Sequence, residues 1–253
     1  MRVTFLGTGT SQGVPVIACD CEVCISADKR DNRLRSSILI EAEDKTVAID
    51  SGPDFRYQML RANVQHLDAI VYTHEHKDHV AGMDDVRAFN FKQQEPMNIY
   101  ADPRVQAALM REFPYVFAEF KYPGIPQIDF HNIELDPFDI GSIHFIPIEV
   151  LHYKLPVLGF RINDFTYITD AKTVSDAEKE KIKGSKILVI NALQKQSHIS
   201  HFTQDEAVAF AQEVGAETTY FTHISHRLGK HQDIMAELPP GIELAYDGLQ
   251  LDI

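Results

Sequence analysis

The segment THEHKDH, Thr73 to His79, packs three histidines, an aspartate and a glutamate into seven residues. It follows directly on DAIVYT, an apolar run that predicts a strand. The polar side chains therefore stand at a strand end, where they can converge on a cleft. His74 and His76 are two apart, and in extended backbone such side chains point the same way, so both can hold one cation. Asp78 and His79 are adjacent and can turn toward a second cation. Imidazole with carboxylate suits zinc, manganese or iron. Glu75 and Lys77 alternate with these residues and point away. The plainer alternative is a loop of solvated histidines.

The rest of the chain must frame that loop. Its 253 residues, 44% of them hydrophobic, suffice for one large domain with a real core. Short β-rich runs recur as VTFLG, SSILIEA, TVAID, DAIVYT, MNIYA, IHFIPIEVL, LGFRI, FTYIT, KILVIN and TTYFTH. Between them lie helical patterns at Asp54–Arg61, Ala81–Phe91, Pro103–Phe113, Val174–Ile182, Thr203–Val214 and Gln232–Leu238. Thr203 with Glu206 three residues on reads as a capping box. Strands and helices mix throughout, so the class is α/β or α+β. TVAIDSG also resembles FTYITDA, and DAIVYTHEHKDH resembles ETTYFTHISHRL, a weak internal repeat that sets polar residues at strand ends in both halves.

Acidic residues outnumber basic ones 37 to 24, for a formal charge of −13. Such a surface repels phosphate backbones and anionic lipid, which disfavours nucleic acid and membranes as partners. The apolar run after Arg2 is too short for a leader or a span, so a cytoplasmic protein with reduced thiols is expected. The only cysteines are Cys19, Cys21 and Cys24. An odd number in a reducing compartment reads as a metal site better than as a disulfide framework.

H-x-H-x-D-H after a strand resembles the signature of the metallo-β-lactamase superfamily. Further positions fit its pattern. His152 in VLHYK resembles the third imidazole of the first metal, Asp170 in YITDA the carboxylate bridging both metals, and His223 in YFTHISH the last ligand of the second. The resemblance implies a four-layer αββα sandwich over residues 1–253, with two divalent metals, manganese or zinc, in a cleft at one end. Asp50 in AIDSG matches a buried carboxylate that steadies the metal loop, and capping of the turn at Gly52 is its other reading.

The N-terminal GTGTSQGVPVIACDCEVC narrows the likeness to the phosphodiesterase family of the carbon–phosphorus lyase pathway, which cleaves 5-phosphoribosyl 1,2-cyclic phosphate. That resemblance implies a structural zinc on Cys19, Cys21, Cys24 and His226, pinning a loop at about residues 13–30. It also implies that His201, in SHISHF, is a catalytic histidine able to protonate a leaving oxygen beside the metals and Asp78. A small phosphodiester is the expected substrate, and a homodimer is what the family suggests. A tRNA 3′-processing nuclease shares these metal ligands but needs a basic arm, and no such insertion is present. A non-hydrolytic relative of a pyrroloquinoline-quinone biosynthesis protein and a zinc-stabilised interaction module are the readings from other classes. Arg87 reads either as a phosphate contact or as the partner of Asp84 or Asp85. His66, His131, His144, His198 and His231 carry no motif, and neither does the region from Phe91 to Phe138.

Overall fold

A computed structural model describes residues 1–120 and 122–253. The first sheet holds β1 (Arg2–Gly7), β2 (Ser37–Glu41), β3 (Thr46–Ile49), β4 (Ala69–Val71), β5 (Met97–Ala101) and β6 (Ile128–Asn132). The second holds β7 (Phe138–Ile140), β8 (Ile143–His152), β9 (Leu155–Ile162), β10 (Phe165–Tyr167), β11 (Thr173–Val174), β12 (Ile187–Asn191), β13 (Thr218–Thr222) and β14 (Ile242–Leu244). The last strand, β15 (Gln250–Asp252), returns to the first sheet, whose order is β15-β1-β2-β3-β4-β5-β6. The second runs β11-β8-β9-β10-β12-β13-β14, with β7 also on β8.

Each sheet is antiparallel in its first half and parallel in its second. β1, β2 and β3 alternate in direction, and β3 to β6 run parallel. β8, β9 and β10 alternate, and β10, β12, β13 and β14 run parallel. The weak sequence repeat follows this symmetry: TVAIDSG and FTYITDA close the strands where each parallel half begins.

Side chains two apart along a strand share a face, so each strand feeds two cores. Ile38 and Ile40 of β2 join Phe145 and Phe160 of the second sheet in a cluster between the sheets. Leu39, between them in sequence, faces Phe55 and Phe89 on the opposite side. In β12, Val189 enters the inter-sheet core, while Leu188 and Ile190 pack against Phe210 and Ile234. Burial on both faces is why these strands read as continuous apolar runs.

Helices cover the two outer faces, α1 (Phe55–Arg61), α2 (Lys77–Val80), α3 (Arg87–Gln93) and α4 (Pro103–Glu112) on the first sheet and α5 (Asp176–Ile182), α6 (Gln204–Val214) and α7 (His231–Glu237) on the second. The layers are therefore αββα, as the family resemblance implies. Thr203 and Glu206 form the capping box at the head of α6. No helix among the described residues is long and apolar enough to cross a membrane.

One local expectation is corrected, and two stretches gain detail. The helix expected over Ala81–Phe91 is a 3-10 turn at Met83–Val86 followed by α3, because Gly82 packs its backbone against Gly52 and donates to the Ser51 carbonyl at 2.8 Å. The metal loop is extended only as far as His76, and Lys77–Val80 closes into a helical turn. Between Phe91 and Phe138, β5 and α4 stand where MNIYA and Pro103–Phe113 predict them, and IDFHN adds β6, a strand held by tertiary pairing with β5.

Candidate metal centre

Four parallel strands deliver the polar residues. Asp50 follows β3, His74 follows β4, Asp170 follows β10 and His223 follows β13. Their carboxyl ends point to one edge of the sandwich, the usual place for a site in sheets of this kind. Two of these residues, Asp50 and His223, have left-handed backbone, φ 65° and 54°. Such strain in non-glycine residues persists where the surroundings hold it, and it clusters at functional sites.

Asp50 organises the loop that bears His74 to His79. Its carboxylate accepts from the Thr73 backbone N–H at 2.9 Å and the Thr73 hydroxyl at 2.8 Å. The His79 Nδ1 lies 2.7 Å from Oδ2 of the same group. A side chain spent on Thr73 and His79 does not cap Gly52. The AIDSG turn and the metal loop cross backbone to backbone: a Cβ at Gly52 would overlap the Asp78 carbonyl, and one at Gly82 would overlap that of Gly52. Only glycine permits that approach.

Two further anchors face them. The Asn191 side chain of β12 exchanges hydrogen bonds with Ala171, at 2.8 and 3.0 Å, and so fixes the turn carrying Asp170. The glycine-rich N-terminal loop holds the other side: Thr10 bonds backbone to Ile224, and its hydroxyl lies 3.2 Å from Nε2 of His223.

Three groups of donor atoms result, each within 4.8 Å: His74, His79 and Asp170; Asp78, His79 and His223; and His152, Asp170 and His201. His76 stands outside these groups, but its ring centroid lies 4.6 Å from that of His74 and 5.2 Å from that of His152. His152 is oriented by its Nδ1, 2.9 Å from the Ser200 carbonyl, which leaves Nε2 for the cleft. Five buried donor atoms, His74 Nε2, His79 Nε2, Asp170 Oδ2, His201 Nδ1 and His223 Nδ1, have no hydrogen-bond partner among the described residues. Buried polar atoms without hydrogen-bond partners are costly; His79 Nε2 lies 3.3 Å from Asp170 Oδ2, and His223 meets Asp170 Oδ1 through its other nitrogen, Nε2, at 3.3 Å, a gathering around Asp170 that suits a cation.

The electrostatics agree. Burial pulls the His79 imidazole down, but Asp78, Asp50 and Asp170 around it push it well above its ordinary value. Burial raises the Asp50 carboxyl, offset in part by His79 and the Thr73 donors. The cleft thus gathers carboxylate charge that calls for positive charge, and divalent metals meet the same demand. Burial lowers His201 to about 3, against the attraction of Asp170, so its ring is neutral at pH 7. Thr203, and not His201, caps α6.

A second cluster lies apart from the first. The Sγ atoms of Cys19, Cys21 and Cys24 stand 3.3, 3.4 and 3.5 Å from Nδ1 of His226. Ligands of a tetrahedral zinc with sulfur at about 2.3 Å and nitrogen at about 2.0 Å lie roughly 3.5 Å apart, so the four donors fit that ion. The Cys24 backbone N–H draws the Cys21 thiol down to about 6, into the range where thiolate is present at pH 7.

Some residues near the centre carried no sequence signal. His198 lies 5.2 Å, ring to ring, from His201, and its only cue was the neighbouring SHISH spacing. Arg87, read from the sequence as a phosphate contact or as the partner of Asp84 or Asp85, pairs with Asp84 at 3.3 Å. His231, also without a motif, is buried against Arg33. An open cleft of about 500 Å³ leads away from the centre, lined by His76, His152, Tyr153, Lys154, Ile199 and neighbouring residues.

Relatives share this frame. The profile of the beta-lactamase superfamily domain matches residues 45–224. The crystal structure of a new diphosphatase from the PhnP family superposes with a TM-score of 0.93 at 40% identity, covering 100% of this chain and 97% of that one. The octanoyltransferase of Porphyromonas gingivalis (strain ATCC BAA-308 / W83) is 38% identical over 253 residues, 99% of this chain and 51% of that protein, so the chain spans about half the relative's length. Zn(2+)-bound PqqB from Methylobacterium extorquens shares the fold, with a TM-score of 0.80 at 19% identity and full coverage of both chains. With its four-layer sandwich, its histidine and aspartate residues gathered at the strand ends and these likenesses, the chain belongs to the beta-lactamase superfamily of metallo-hydrolases and, within it, to the PhnP family.

Proposed function

We propose that this protein is a two-metal phosphodiesterase acting on a small phosphodiester. The observation that carries the reading is the convergence of His74, His76, Asp78, His79, His152, Asp170 and His223 on one edge of the sandwich, with buried donor atoms otherwise unpartnered. His74, His76 and His152 would hold one divalent cation, manganese or zinc, and Asp78, His79 and His223 the other, with Asp170 between them. Such a pair, when bound, supplies an activated water and offsets charge on a phosphoryl group. Cys19, Cys21, Cys24 and His226 would hold a structural zinc.

The chain's own groups do the rest. Asp50 keeps the His79 ring oriented through Nδ1. His152 is oriented in the same way by the Ser200 carbonyl. His201 is neutral by itself, and an anionic phosphate beside it raises its proton affinity, which readies it to protonate a leaving oxygen. A cyclic ribose phosphate such as 5-phosphoribosyl 1,2-cyclic phosphate is the leading substrate by family resemblance. The 40% identical relative is described as a diphosphatase, so a diphosphate linkage is the second to test.

The charge of −13 works against a tRNA substrate. Octanoyl transfer belongs by name to a protein about twice as long, and all three cysteines of this chain gather at His226, leaving no thiol at the cleft to carry an acyl group. Hydrolysis of bis-p-nitrophenyl phosphate by manganese- and zinc-loaded protein tests the proposal, with Asp78→Ala as control. Turnover that disappears in the control supports it; equal rates in both forms overturn it.

A further inference from the structure

The turn joining β8 to β9 contains one residue that its backbone does not favour. His152 pairs with Leu155 across the hairpin, so Tyr153 and Lys154 are its two central residues. Tyr153 has φ 59°, and Lys154 has no positive φ. A two-residue hairpin with left-handed backbone at its first central residue ordinarily selects glycine there. A bulky aromatic in that conformation is an outlier. Its packing does not explain it, because Tyr153 remains 49% exposed. Strain retained without burial points to a task for the ring.

The surroundings indicate the task. Tyr153 directly follows His152, and Ile199 directly precedes Ser200, whose carbonyl holds His152. The two apolar side chains are thus each one residue from groups fixed at the candidate metal centre. Both line the same cleft, and Ile199 is 65% exposed. Lys154 sets its ammonium 5.3 Å from the Tyr153 ring centroid and makes no ion pair among the described residues, on a chain with net charge −13. A flat apolar surface, a second apolar side chain and an uncommitted cation at the mouth of a cleft of about 500 Å³ suit an anionic ligand that carries a planar ring.

We propose that Tyr153, with Lys154 and Ile199 beside it, is a specificity-determining contact for the group esterified to the scissile phosphate, and that this group bears a planar ring, as a nucleoside does, so that a ribose phosphate carrying a base is preferred over the base-free 5-phosphoribosyl 1,2-cyclic phosphate. The proposal rests on the phosphodiesterase reading for the word scissile; the ring contact itself is testable without turnover. Thymidine 5′-monophosphate and ribose 5-phosphate share a phosphate on a pentose and differ chiefly in the base. Calorimetric titration of the metal-loaded protein should show thymidine 5′-monophosphate binding about tenfold tighter or better, the usual scale of base–aromatic stacking. In Tyr153→Asn, which suits left-handed backbone, the two ligands should bind equally, with an unchanged or higher Tm. Tyr153→Phe should restore the preference.

Equal affinities in the wild-type protein, no binding of either ligand, or a preference that survives in Tyr153→Asn would overturn the proposal. Bis-p-nitrophenyl phosphate hydrolysis separates the two readings. Turnover without a base preference removes the ring contact alone. A base preference without turnover removes the phosphodiesterase reading and leaves the ring contact standing as a binding site.

Discussion

The carboxylate of Asp50 and the imidazole of His79 lie 2.7 Å apart, both shielded completely from solvent, and the same carboxylate holds Thr73 at the start of the metal loop. One strained residue just after β3 thereby sets the orientation of a side chain 29 positions away. Asp50→Ala leaves the His79 Nδ1 N–H and the Thr73 backbone N–H buried without partners, while the Thr73 hydroxyl keeps only His74 Nδ1 at 3.0 Å. It should cost about 3 kcal/mol of stability, read by denaturant unfolding. Asp50→Asn accepts left-handed backbone and keeps part of the bonding. It should fold and lose metal affinity about 10- to 100-fold, read by competition with a chelator.

Cys21→Ser should lower bound zinc by one per chain and lower the Tm, while metals at the histidine cluster stay. Metal content by mass spectrometry of the native protein would show this. An unchanged zinc count would mean that the four clustered donors do not hold a metal.

His201→Ala should reduce phosphodiester turnover by about 10²- to 10⁴-fold, the usual span for a general acid, with metal content unchanged. A normal rate would move the proton-donor role to another group, and His198 is the nearest imidazole to His201 outside the proposed ligand set.

Stability should fall with acid through His231. Burial, then the charge of Arg33, lowers this imidazole to about 4 from an ordinary value of 6.5. Its Nδ1 lies 3.2 Å from the Arg33 guanidinium, so the neutral ring accepts the bond and a protonated ring could not. The unfolded chain binds the proton more tightly. The stabilisation is therefore complete above about pH 6.5 and lost as the pH falls toward 4, at most about 3 kcal/mol in all. His231→Gln should flatten this part of the stability profile, measured by unfolding at several pH values.

The cysteine and histidine clusters were legible along the chain because their ligands lie close in sequence. Spacing alone places His74, His76, Asp78 and His79, or Cys19, Cys21 and Cys24, within reach of a common ion. The alternating cores were legible as well, since burial of both strand faces leaves continuous apolar runs such as DAIVYT and KILVIN. His152, Asp170, His223 and His226 stood out only through family likeness, and folding brings each of them to its cluster.

Other features had no local trace. IDFHN becomes β6 because β5 offers it an unpaired edge. The helix expected after the metal loop breaks because Gly82 must meet Gly52. His231 owes its depressed basicity to burial and then to Arg33, 198 residues earlier. Tyr153 is unremarkable as a letter and unusual only once its φ is known. The sequence by itself determined which side chains can bind metal and which faces must be buried, since both follow from residue type and short-range spacing. Only the tertiary structure decided how the ligands group, which imidazoles stay neutral and where the backbone is strained, because those depend on charges and contacts between segments far apart in the chain.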